Sequence, residues 1–127
     1  MNLLDKITEL SREIIYIYRD EHVKHISFLA RRNKILSVGI NDKTCTHPMS
    51  TTQFQRLHSE VDAISRIKDK KILSRLKLIN VRINKHYEFR LSKPCPSCEL
   101  LCQVVGIKQV IFTESSDKFP VWNILKL

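Results

Sequence analysis

Several features that would assign a protein class at once are missing from this chain. No run of eighteen or more apolar residues occurs, so no hydrophobic membrane span and no membrane partner is expected. Glycine appears twice and proline four times, with no tract of biased composition, which argues against disorder, fibres and repeat arrays. Acidic residues are also in short supply, 13 against 22 Lys and Arg. The resulting net charge of +9 favours anionic partners without naming one. The opening stretch MNLLDKITELSREII mixes charges into its apolar positions and lacks a small-residue cleavage site. A secretory signal is therefore not expected, and an intracellular, cytoplasmic location is. In a reducing compartment four cysteines do not imply a disulfide framework, and the pair in C-x-x-C spacing points to metal or redox chemistry.

What is present suffices for one domain spanning 1–127, since 43% of the residues are hydrophobic and can build a core. Leu3, Ile7, Leu10, Ile14 and Ile17 recur at spacings of three and four and predict an amphipathic helix to about Tyr18. Ile26 to Ala30 and Ile35 to Ile40 read as an antiparallel hairpin around the polar RRNK. The stretch from Asn41 to Arg56 has no period, and a loop that long in a small domain is usually functional. Leu57, Val61 and Ile64 share a helical face that should run to about Asp69. Leu78 to Ile83 alternates as a strand, Asn84-Lys85-His86 turns it, and Tyr87, Phe89 and Leu91 alternate again. A helix starts near Cys95 between Pro94 and Pro96 and is capped by Gly106, and the strand QVIFT follows. Fourteen residues remain after Thr113, too few for a parallel crossover, so a last strand near Val121 to Leu125 should pair antiparallel or lie across the sheet. The order α-β-β-α-β-α-β with a short tail places helices on a mixed sheet.

Two stretches carry chemistry. Cys95 and Cys98, three apart in a first helical turn, form a zinc half-site, and the helix N-terminus is expected to lower their thiol pKa. Two sulfurs with an imidazole suit zinc, and three protein donors leave the open position of a catalytic site; His58 is the third donor. Glu60 lies about 200° around a helix from His58, so the two converge only at a helix end. There the histidine holds a metal while the carboxylate shuttles protons to and from water beside it. Alone, C-x-x-C also fits a redox pair. Together, in helix-start contexts with a strand between, the two stretches point to one site.

HSE at 58–60 and PCPSC at 94–98 resemble the H-x-E…P-C-x-x-C signature of the zinc-dependent cytidine and deoxycytidylate deaminase superfamily. The resemblance covers roughly residues 3–113. It implies an α/β fold: a three-layer α/β/α sandwich around a mixed sheet of roughly five strands, with a short C-terminal tail. It also implies His58, Cys95 and Cys98 as zinc ligands, Glu60 as general acid and base, and hydrolytic loss of ammonia from a cytosine nucleotide or nucleoside. Asn41, ending GIN, is similar to an asparagine that contacts the sugar. Ser59 stands where the family usually has alanine and offers its backbone N–H to the pyrimidine oxygen. Assembly as a homo-oligomer is implied as well. The tail is too short for the further helix and strand of the deoxycytidylate, tRNA-adenosine and nucleic-acid-editing members.

Other residues have plainer readings. Cys102 suits core packing better than a fourth ligand, and Cys45 reads as an ordinary thiol. His47, in THP, either meets a substrate phosphate or sugar or is an idle loop residue. Phe28, Phe54 and Trp122 fit the core better than base stacking, and Asp62 fits the surface better than a partner of His58. His22, His25 and His86 show no relation to the site. The phosphate-seeking charge favours dCMP or CMP as substrate. The basic run Arg66 to Lys77 raises the alternative of a tRNA or single-stranded DNA or RNA base deaminase, and a non-enzymatic zinc-stabilised binding module is the third reading.

Overall fold

The computed structural model describes residues 1–20, 24–41 and 58–127. Helix α1 (Leu3–Ile17) begins at a side-chain cap, where Asn2 accepts a hydrogen bond from the Asp5 N–H at 2.9 Å. Leu3, Ile7 and Ile15 are buried on its inner face, and Leu10 and Ile14 pack beside them. Ile17, the last residue of the expected stripe, is exposed. No helix among the described residues is long and apolar enough to cross a membrane.

Strands β1 (His25–Arg31) and β2 (Lys34–Ile40) form the expected antiparallel hairpin, closed by Arg32 and Asn33, with Arg32 at a φ of 56°. Strand β3 (Lys77–Ile83) pairs antiparallel with β1 and parallel with β5 (Gln109–Thr113). Strand β6 (Trp122–Lys126) closes antiparallel on β5, as the few residues after Thr113 require. The sheet order is β2-β1-β3-β5-β6. A sixth strand, β4 (Phe89–Arg90), pairs with the end of β3, so the sheet has six strands where roughly five were expected. The alternation of Tyr87, Phe89 and Leu91 shrinks to two paired residues because Tyr87 takes a φ of 61° in the turn that precedes them.

Both faces of this sheet are covered. Ile26, Phe28, Ile79, Val81 and Ile83 pack under α1, while Leu29, Leu78, Val110 and Phe112 pack under α2 (Ser59–Ser65) and α3 (Pro96–Val105). Helix α2 ends at Ser65, short of the expected Asp69. Lys70 Nζ donates to the backbone oxygens of Ile64, Ser65 and Ile67, which satisfies carbonyls at the helix end. Asp69 accepts from the Lys71 N–H and opens a separate 3₁₀ segment (Lys70–Arg75).

Helix α2 lies unusually close to β2. A Cβ on Gly39 would stand 2.3 Å from both the Ala63 nitrogen and the Ser59 carbonyl oxygen. The approach is fastened on either side, with the Ser37 hydroxyl donating to the Ala63 carbonyl (2.7 Å) and the Ile40 N–H to Asp62 Oδ2 (3.0 Å). Because the atoms in the way are backbone, Gly39→Ala cannot be absorbed by a rotamer change. It is expected to lift α2 and to destabilise the protein by about 3 kcal/mol or more, measured as a lower urea midpoint.

Candidate active site

The N-termini of α2 and α3 point their first residues into one place. His58 is the N-cap of α2 and Cys95 the N-cap of α3, both in extended backbone conformation, and Pro96 follows where its missing N–H costs nothing. His58 Nδ1 lies 3.7 Å from Cys95 Sγ and 3.4 Å from Cys98 Sγ. One donor atom from each residue falls within 4.8 Å of the others, with Cys98 buried and the other two half-buried. Two sulfurs and an imidazole nitrogen around a point is a donor set that fits a single metal ion.

Glu60 stands outside that donor group and is only 6% exposed. Its Oε1 accepts from the Ser59 hydroxyl (3.1 Å) and its Oε2 from the Asn80 amide (3.2 Å). Asn80 is itself held on both sides. Its carbonyl oxygen accepts from the Ser27 hydroxyl at 2.6 Å, and its amide also donates to the Ser92 backbone oxygen at 3.2 Å. The Ser27 and Ser59 hydroxyls are 2.8 Å apart and close the ring. Ser27 and Asn80 are direct partners in the β1–β3 ladder, so strand register builds this support. The sequence does carry a signal for it: a lone amide between Ile79 and Val81 in a central strand.

The expected lowering of thiol pKa does not hold at Cys98. Burial pushes this thiol well above its usual value, reinforced by the Glu60 carboxylate and by Cys95. Desolvation here outweighs the helix N-terminus. Cys102, one turn on, packs in the core with Leu101 and Ile107 and takes no part in the donor group; burial, then Glu60 and Glu99, pushes its thiol up to about 12.

The fold has counterparts of known structure. The chain is similar to the dCMP deaminase from the cyanophage S-TIM5 in apo form, at 18% identity and a TM-score of 0.51, over 90% of this chain and 87% of that one. Against the same enzyme in complex with dCMP and dUMP the identity is 17% and the TM-score 0.55, covering 88% and 81%. No protein-family model matches the sequence, and no curated protein does. The fold is that of the dCMP deaminases.

Within this dCMP deaminase-like fold the remaining residues can be placed. Asn41 Oδ1 accepts from the Lys24 and His25 N–H groups, both at 2.9 Å, and so pins the start of β1 to the end of β2. The Ser59 side chain is buried in the Glu60 network. His47, Cys45, Phe54 and His22 lie outside the described residues. Phe28 is fully buried and Trp122 packs against the same core. Asp62, expected at the surface, is buried: it accepts from the Ile40 N–H and pairs with Arg66 Nε at 3.1 Å. His86 is exposed in the turn after β3.

His25 does belong to the site end, contrary to the sequence reading. It opens β1 opposite Arg82, on the sheet face that also carries Ser27. Burial, then the charges of Arg82, His58 and Lys24, lowers its pKa from 6.5 to about 4. The unfolded chain therefore binds a proton near 6.5 that the folded chain refuses until near 4. Stability present at pH 7 is lost as pH falls through that window, by roughly 3 kcal/mol in full. His25→Gln is expected to flatten this dependence, read from urea midpoints at pH 7 and pH 4.5 in chelator-treated protein so that metal loss does not contribute.

Proposed function

We infer that the protein is a zinc-dependent hydrolytic deaminase that converts a cytosine mononucleotide, dCMP or CMP ahead of the nucleosides, to its uracil counterpart with release of ammonia. One observation carries this reading: a three-donor sulfur and imidazole cluster at two converging helix N-termini, with a sealed carboxylate beside it and outside it, in a dCMP deaminase-like fold. His58, Cys95 and Cys98 would hold the zinc, and three protein donors leave a fourth position open. When bound, zinc lowers the pKa of water to about 7 and so supplies a nucleophile at neutral pH.

The chain's own residues supply the rest. Replacing an amino group by oxygen requires a proton to leave the attacking water and another to reach the departing nitrogen, and the Glu60 carboxylate moves both. Asn80 and Ser59 fix its two oxygens, each of which retains accepting capacity beyond the one bond. In the same reading the Ser59 N–H meets the pyrimidine oxygen and Asn41 the sugar.

The placement of charge supports a small substrate over a polynucleotide. The basic run from Arg66 to Lys77 starts at the C-terminal end of α2, and β3 then travels roughly 17 Å before reaching Arg82, the cross-strand partner of His25, at the site end. Two of its cations are also engaged locally, Arg66 with Asp62 and Lys70 with the helix carbonyls. A strand gripped there would lie away from the donor cluster.

A panel of cytosine, its nucleosides and its monophosphates, assayed for ammonia, tests this reading. Glu60→Gln is expected to lower kcat by about a hundredfold or more while keeping one zinc per chain by atomic absorption; full activity in that variant would sink the assignment. Cys95→Ser and His58→Ala should lose the metal, and removing it with a chelator should lower Tm. Asn80→Leu leaves one Glu60 oxygen without its donor and should lower kcat about tenfold with zinc content and KM little changed.

A further inference from the structure

Beyond the ends of β3 and β4 lies a cavity of about 210 Å³, whose lining includes Lys24, Arg82, Arg90, Asn84 and Ser115. Its charge was assembled against a penalty. Arg82 and Arg90 are direct cross-strand partners, and like charges in that relation repel. Arg90 is fixed: its guanidinium donates to Glu88 Oε1 and to the backbone oxygens of Phe89 and Ser116, each at 3.1 Å. Lys24 and Arg82 have no carboxylate within ion-pair distance among the described residues, and both are exposed. With Arg90 offset by Glu88, Lys24 and Arg82 are the cavity cations that have no carboxylate partner among the described residues.

The cavity also faces the right way. Side chains alternate along β3, so Arg82 shares the sheet face of Asn80, which bonds Glu60. Arg82 is the cross-strand partner of His25, which shares its strand face with Ser27, and Ser27 in turn contacts Ser59 beside His58. Leu91, on the cavity wall, is four residues before Cys95.

We propose that Lys24, Arg82 and Arg90 form a phosphate-monoester subsite that receives the 5′-phosphate of the mononucleotide whose base is deaminated. A monoester carries between one and a half and two negative charges at pH 7, a charge that Lys24 and Arg82 together can meet, and Arg90, with three of its five N–H donors committed to Phe89, Ser116 and Glu88, keeps two for the phosphate oxygens. The assignment rests on the deaminase reading, which supplies the nucleoside part of the ligand.

The experiment uses zinc-loaded wild type, Lys24→Gln, Arg82→Gln and the double variant, all changed at exposed positions. Inorganic phosphate, titrated calorimetrically, is expected to bind wild type and to weaken at least tenfold in the double variant. The ratio of kcat/KM for dCMP to that for deoxycytidine should fall by about ten- to a hundredfold, with inorganic phosphate competing against dCMP. A ratio unchanged within twofold, or phosphate binding indifferent to both substitutions, overturns the subsite. Loss of binding to a single-stranded cytosine oligonucleotide with no change in the mononucleotide ratio would give the cavity to phosphodiesters and overturn it too. Should wild type act on neither cytosine compound, the deaminase reading fails, and the phosphate titration alone still decides whether the cavity binds the anion.

Discussion

A carboxylate nearly sealed from water must be satisfied by its neighbours, and here the obligation falls on a cross-strand pair. Glu60 is 6% exposed, and burying such a group without partners would cost several kcal/mol. The Asn80 amide and Ser59 hydroxyl meet its two oxygens, and Ser27 holds Asn80 in turn. The register that sets Ser27 opposite Asn80 also sets Leu29 opposite Leu78 in the core below and His25 opposite Arg82 at the rim above. One ladder thus grades from apolar core through polar support to charged mouth. A slip of one residue would turn the support toward α1 and leave Glu60 stranded.

The donor cluster depends on a second constraint, the height of α2 over the sheet. His58, Ser59 and Glu60 occupy the cap and first turn of that helix, so every ångström it moves is passed to all three. Gly39 admits the helix to backbone contact, while Ser37 and Asp62 fasten it there. Cys95 and Cys98 come from α3, whose far end is closed by Gly106 at a φ of 93°. Donors carried on two braced helices hold their spacing better than donors on a loop, which a metal geometry requires.

The donor residues were legible in the sequence because their chemistry is local. Cys95 and Cys98 share a helical turn and His58 and Glu60 a helix start, so spacing alone restricts how they can meet. The main elements were legible from hydrophobic period for the same reason. What was missed depends on strand pairing and desolvation. Asn80 and His25 gain their places only when β1 and β3 are set side by side, and Asp62 looks like a surface acid until the closeness of β2 is known. For the Cys98 thiol, a helix N-terminus is visible in the sequence, whereas the burial that raises its pKa is not. Helix α2 stops at Ser65, short of its apolar period, and the cation that caps it, Lys70, arrives from beyond its end.

The chain's excess positive charge does two separate things, and distance decides which cations do which. At physiological salt the Debye length is about 8 Å, so the run from Arg66 to Lys77, which begins roughly 12 Å from His58 along α2 and ends roughly 17 Å from Arg82 along β3, contributes little to a ligand at the site end. Its effect is on encounter, where the summed field raises the arrival rate of any anion. Affinity for a particular anion has to come from charges within contact distance, and the described cations that line the cavity beyond the end of β3 are Lys24, Arg82 and Arg90. The net charge of +9 is therefore a poor guide to the substrate, whereas the placement of three cations beside the ladder that supports Glu60 is an informative one.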